Sequence, residues 1–227
     1  MPEGAGAAAA ERAGSAFADL VTTMARLRAP GGCPWDAEQT HRSLAVHLVE
    51  EAYETLDAID SGSMEDLKEE LGDLLLQIVF HSEIAAEGNH FEVAGVIDGL
   101  VAKLVHRHPH VFGDVQVSGS AEVVANWEAL KKEQKGRTTL TDGLPEGLPA
   151  LIYAHKVIRR ASGVGHELSP SAERLLKLAA AAGEDVSDES IGELLLESVA
   201  LAGSAGIDPE GALRRRANEL LGEAGHR

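Results

Sequence analysis

Apolar residues recur at helical spacing along most of the chain, and short breaks rich in Gly, Pro or Ser separate the segments that carry them. Leu44, Leu48, Leu56 and Ile59 mark one stripe; Leu67, Leu71, Leu74, Leu75, Ile78 and Val79 mark a wider one, with Asp60-Ser61-Gly62-Ser63 between them. This spacing predicts two helices packed antiparallel across a tight turn. After a stop at Gly88-Asn89, Val93, Val96, Ile97, Leu100 and Leu104 predict a third helix over 92–106, and Val124, Trp127 and Leu130 a fourth beginning near Ala121. Ahead of the pair, a short amphipathic helix is expected over 17–27, stopped by Ala29-Pro30-Gly31-Gly32, with Thr40 placed to cap the next helix. Residues 1–14 are rich in Ala and Gly and are expected to form a disordered tail. They lack the basic start and apolar core of a secretory signal, and no stretch of about 18 apolar residues occurs anywhere.

The fold class that follows is all-α. An antiparallel helical bundle module of about four to five helices is expected over 15–135, then a linker over 136–149 where Gly, Pro and Thr replace the helical pattern. Residues 150–227 read as a shorter, degenerate helical repeat: Ile191-Gly192-Glu193-Leu194-Leu195-Leu196 echoes Leu71-Gly72-Asp73-Leu74-Leu75-Leu76. Ser190 stands where the first copy has Glu70, and no Glu-Glu-x-x-Glu cluster precedes it, so this repeat is expected to hold no metal and to support folding or subunit contacts.

The acids carry the chemistry. Glu50, Glu51 and Glu54 share one helix and Glu70 and Asp73 the next, beside leucine stripes that must be buried. Residues three or four apart on a helix lie on one face, with Cβ atoms ~5–6 Å apart. Carboxylates crowded into such a half-buried seam cannot all remain ionised unpaired, and a bound cation resolves the conflict. An all-oxygen donor set without Cys or a Glu-x-x-His pair suits Mg²⁺, with Mn²⁺ also possible, and no EF-hand loop is present for Ca²⁺. Any one of these acid pairs alone would read as a solvated face; the interleaving with leucines on successive helices favours a site.

Charge narrows the partners. The 227 residues carry a formal charge of −17, which argues against nucleic acid or an anionic membrane as partner, so an anionic substrate would need its own metal and a local basic cluster. Lys103 and Arg107 sit four apart and can reach a polyphosphate, although the helix C-terminal dipole also favours cations there. Trp127, with Lys131 one turn on, can stack on a base or pack as core. His106, His108 and His110 lack zinc spacing and a cysteine partner. The single cysteine, Cys33, excludes an internal disulfide, suits the reducing cytoplasm and reads as a small packed residue. No Gly-x-x-x-x-Gly-Lys-Ser/Thr loop competes as a phosphate site.

Taken together, the words Gly32-Cys33-Pro34-Trp35-Asp36 with Gln39-Thr40-His41, Glu50-Glu51-x-x-Glu54, Glu70-Leu71-Gly72-Asp73, Arg107-His108-Pro109-His110-Val111-Phe112 and Trp127-Glu128 with Lys131 resemble the MazG family of all-α nucleoside triphosphate pyrophosphohydrolases. The resemblance covers about residues 20 to 165. It implies cleavage of a nucleoside triphosphate to the monophosphate and pyrophosphate, with Glu51, Glu54, Glu70 and Asp73 as Mg²⁺ ligands. Glu50 is the candidate to orient or deprotonate water, although Glu50 and Glu51 lie ~100° apart around the helix and either could face the metal. Lys103, Arg107, Trp127 and Lys131 would bind substrate. Alternatives are a narrow dUTP or dCTP hydrolase and a non-catalytic nucleotide-binding stress regulator. Apolar stripes too wide for one thin module to cover predict a homodimer.

Overall fold

The computed structural model describes residues 3–134, 139, 142–166 and 168–225, and among them the regular elements are helices alone. The chain divides into two compact units, Met1–Trp127 and Glu128–Arg227. The division falls ahead of the expected linker; of that linker, residues 136–138, 140 and 141 lie outside the described residues and 142–149 form turns.

In the first unit, α1 spans Glu3–Arg28, α2 Pro34–Glu38, α3 Ala45–Ser61, α4 Met64–Glu87, α5 Val93–Arg107, α6 Pro109–Phe112, and α7, Ser120–Gln134, begins here and crosses the division. The disordered tail is corrected: α1 already includes residues 3–14, since an alanine-rich run with Glu11 and Arg12 has high intrinsic helix propensity without burial. Further along α1, Phe17, Leu20, Val21 and Met24 pack on Leu76, Val79, Phe80 and Ile84 of α4, and Leu44 completes the cluster. The core therefore sits between α1 and α4. A Cβ at Gly32 would collide with the Leu27 carbonyl, so glycine allows the chain to fold back after α1.

Helices α3 and α4 form the expected hairpin. Gly62 closes α3 in the left-handed region at φ 75°, and Ser63 caps α4 by accepting from the Asp66 N–H. Thr40 and Ser43 hydrogen-bond each other's N–H groups reciprocally, so the cap anticipated at Thr40 closes a turn that leads into α3, which itself begins at Ala45. The apolar stripes are only partly covered within one chain. Leu44 and Val79 are buried, whereas Leu48, Leu56, Ile59, Leu71, Leu75 and Ile78 are exposed.

The second unit contains α8, Ala150–Ser162, α9, Ala172–Glu184, α10, Asp188–Ser204, and α11, Pro209–Gly225. Here α10 packs against α8, α9 and α11, much as α4 packs against α1, α3 and α5. Val199 is as deeply buried as Val79, its match in the sequence echo. Glu197, 3% exposed, accepts from the Ser171 N–H at 3.0 Å and pairs with Arg174 Nε at 3.0 Å, tying α10 to the start of α9. No single described helix is long and apolar enough to cross a membrane.

Candidate active site

The hairpin turn fixes which acids meet. Helix α3 presents Glu51 and Glu54 toward α4, and α4 presents Glu70 and Asp73 back. Carboxylate oxygens of Glu51, Glu70 and Asp73 all lie within 4.8 Å of one another, and all three residues are half-buried. Burial, then the charges of Asp73 and Glu54, raises the Glu51 pKa; burial, then Glu54 and Asp73, raises that of Glu70. Glu54 thus acts on both while staying exposed. Below the trio a groove of about 320 Å³ continues between the helices, lined by Glu54, Asp57, Ala58, Ser61, Asp66 and Glu70. Oxygen donors drawn from both helices, with protonation already favoured by mutual repulsion, fit a hard divalent cation.

Glu50 lies outside the trio. Its Oε2 lies 2.9 Å from His47 Nδ1, and Trp35, 55% exposed on α2, approaches the His47 ring edge-on at 6.4 Å. The ~100° step between Glu50 and Glu51, left open by the sequence, places Glu51 in the trio and Glu50 against His47.

A network that sequence reasoning missed anchors α2 and the turn before α3. The Arg28 side chain, 5% exposed, forks onto Glu87 with Nε and Nη2 both at 2.7 Å, donates to the carbonyls of Asp36 and Gln39, and lies over the Phe80 ring. The pairing raises the Arg28 pKa and lowers that of Glu87. His41 and His81 meet Nδ1 to Nδ1 at 2.8 Å with rings 5° from parallel and centroids 5.1 Å apart, a separation that requires edge-to-edge contact. Burial, followed by the His41 charge, lowers the His81 pKa. Only the Gln39-Thr40-His41 word hinted at this role, since nothing local in the sequence joins residues so distant.

The basic cluster is divided. Lys103 is exposed, whereas Arg107 is 6% exposed and lies over the Trp127 ring at 5.3 Å, with His108 against the same ring at 4.9 Å. Lys131 is half-buried on the part of α7 that belongs to the second unit. Among the described residues of the second unit, no three acid, His or Cys side chains converge in this way.

Known proteins resemble this chain in sequence. The MazG nucleotide pyrophosphohydrolase domain profile matches residues 39–112, the stretch from the turn before α3 through α6. The nucleoside triphosphate pyrophosphohydrolase/pyrophosphatase MazG of Thermotoga maritima is 38% identical over 220 residues, covering 93% of this chain and 85% of that protein. The nucleoside triphosphate pyrophosphohydrolase of Escherichia coli K12 is 39% identical over 216 residues, 88% of this chain and 82% of its own. That of Mycobacterium tuberculosis is 45% identical over 154 residues, 67% of this chain and 46% of its own. With its acidic hairpin and similarity extending over most of its length, the chain belongs to the MazG nucleotide pyrophosphohydrolase family.

Proposed function

We propose that this chain is a magnesium-dependent pyrophosphohydrolase that converts ribo- and deoxyribonucleoside triphosphates to the monophosphate and pyrophosphate. The observation that carries this reading is the trio of Glu51, Glu70 and Asp73, converging from two helices with raised carboxyl pKa values. Glu51, Glu54, Glu70 and Asp73 would hold Mg²⁺, with Mn²⁺ as an alternative of the same hardness. Bound there, the metal would supply positive charge to phosphate oxygens and acidify a water.

The chain's own groups do the rest. Glu50, the neighbour of Glu51 in sequence and paired with His47, is assigned the proton released when water oxygen bonds to phosphorus; the α–β anhydride breaks and pyrophosphate departs with the bonding electron pair. Lys103 and Arg107 supply positive charge to the leaving group, and Trp127 contributes to nucleotide binding. Recognition centred on the phosphates favours broad substrate choice, which suits clearance of non-standard or oxidised nucleotides in the cytoplasm. The exposed apolar faces of α3, α4 and α5 favour a homodimer, expected as twice the chain mass in light scattering at micromolar concentration. A monomer under those conditions would refute that assembly.

Pyrophosphate release from a panel of nucleoside triphosphates tests the activity, with Mg²⁺ and with chelator. Release that requires Mg²⁺ and is lost in Glu54→Gln is the expected result. Bound nucleotide without release from any substrate would overturn the hydrolase reading.

A further inference from the structure

Along α4 the polar residues Asp66, Glu70, Asp73, Gln77 and His81 recur at steps of three or four and so share one face of the helix. The line changes character along its length. At one end the acids border the groove; at the other, Gln77 Oε1 and His81 Nε2 are buried and have no hydrogen-bond partner among the described residues. Gln77 is only 5% exposed, and a buried acceptor left unfilled is destabilising. Such an atom is retained where something else fills it.

The second unit shows how this position is satisfied when it serves the fold alone. In the sequence echo, Glu197 follows Leu196 as Gln77 follows Leu76. Its carboxylate is comparably buried, yet both oxygens are engaged, one by the Ser171 N–H and the other by Arg174. The unit without a carboxylate trio completes this polar group internally, whereas the unit with the trio leaves its counterpart open.

We infer that Gln77 reads the sugar of the nucleotide, its Oε1 accepting a hydrogen bond from the 3′-hydroxyl. The inference rests on the hydrolase reading for placing the phosphates at the trio. In this assignment the triphosphate lies with its sugar toward Gln77, which stands one helical turn, ~5.4 Å, beyond Asp73. Sugar hydroxyls are the first hydrogen-bond donors past the phosphate chain. The opposite end of the line, with Asp57 and Asp66, suits cations and offers a neutral sugar nothing comparable. At matching distance from the Gly62 turn on α3 stands His47, with exposed Trp35 against it, so the Gln77 end also has aromatic surface for the rest of the nucleoside.

The test is calorimetric binding of α,β-imido analogues of ATP and 3′-deoxy-ATP to the full chain with Mg²⁺. The wild type is expected to bind the 3′-hydroxyl form roughly three- to tenfold more tightly, the worth of one neutral hydrogen bond. Gln77→Met should remove that preference, and Gln77→Glu, which keeps an acceptor, should retain it; thermal melting confirms that each variant folds. Equal affinity of the wild type for both analogues overturns the proposal without any variant, as does an undiminished preference in folded Gln77→Met. Failure to bind either analogue overturns it too. Preference for the 3′-hydroxyl without pyrophosphate release leaves this inference standing and removes the hydrolase reading; release with equal binding does the reverse.

Discussion

Glu51→Gln should abolish activity and make the metal-free protein more stable. Oxygens of Glu51, Glu70 and Asp73 lie within 4.8 Å of one another. Unit charges at that separation repel by about 3.5 kcal/mol at an effective dielectric of ~20 and by about 0.9 kcal/mol in bulk water. A half-buried site falls between these limits, and raised pKa values relieve part of the strain by protonation, so removing the Glu51 charge should stabilise by ~1–2 kcal/mol, or about 5 °C in Tm. The pH dependence has a definite sign. A carboxyl whose pKa is raised by folding contributes stability that is fully present below the ordinary glutamate value of 4.5 and lost as pH rises through its folded pKa. Metal-free wild type should therefore lose this contribution as pH rises above 4.5, and Glu51→Gln should flatten the loss. Magnesium at about 100 times its Kd should then stabilise the wild type by ~2.7 kcal/mol and the variant much less. Differential scanning fluorimetry with chelator and with Mg²⁺, across pH, measures all three effects. A variant no more stable than wild type in chelator, or shifted equally by Mg²⁺, would refute the electrostatic account of the trio.

Arg28→Ala should destabilise the first unit by ~3 kcal/mol in urea unfolding, through lost charged hydrogen bonds to two carbonyls and a partly exposed ion pair; a cost under ~1 kcal/mol would refute the anchor. Because Arg28 depresses the Glu87 pKa, the wild type also carries stability that is lost as pH falls through the folded value of Glu87, and this acid-side loss should shrink in the variant. Glu197→Ala should cost ~2–3 kcal/mol and Glu197→Gln about half as much, since the amide can still accept from the Ser171 N–H; equal losses would show that the Arg174 pairing, not the cap, dominates. Glu193→Gln should leave pyrophosphate release unchanged, and loss of activity there would overturn the assignment of catalysis to the first unit.

Periodicity made the all-α class and the α3–α4 hairpin legible, because stripes and stop signals are local properties of the chain. The convergence of Glu51, Glu70 and Asp73 was legible for the same reason, once the turn between the helices was seen to be short. What escaped depends on contacts between distant segments. Arg28 reads as a cation at a helix end, and nothing nearby marks its pairing with Glu87; His41 and His81 are equally remote. The leucine stripes read as too wide for one module to cover, and Leu48, Leu56, Ile59, Leu71, Leu75 and Ile78 are exposed; which residues stay uncovered was not legible, since periodicity shows which face is apolar and not what covers it. The tail was misread because alanine and glycine together resemble a linker, although alanine alone favours helix.

The two-residue connection at Gly62-Ser63 makes chain length itself part of the chemistry. No atom of that turn belongs to the trio, yet one residue inserted between Ser63 and Glu70 would rotate Glu70 and Asp73 by ~100° away from Glu51. There is too little slack in the turn to absorb the change, and a Cβ at Gly62 would oppose its left-handed backbone. Insertions should therefore silence catalysis here while being absorbed at Gly88-Asn89, beyond the last carboxylate. The spacing of acids across this hairpin acts as a ruler, and its calibration resides in a glycine and a serine that lie outside the trio.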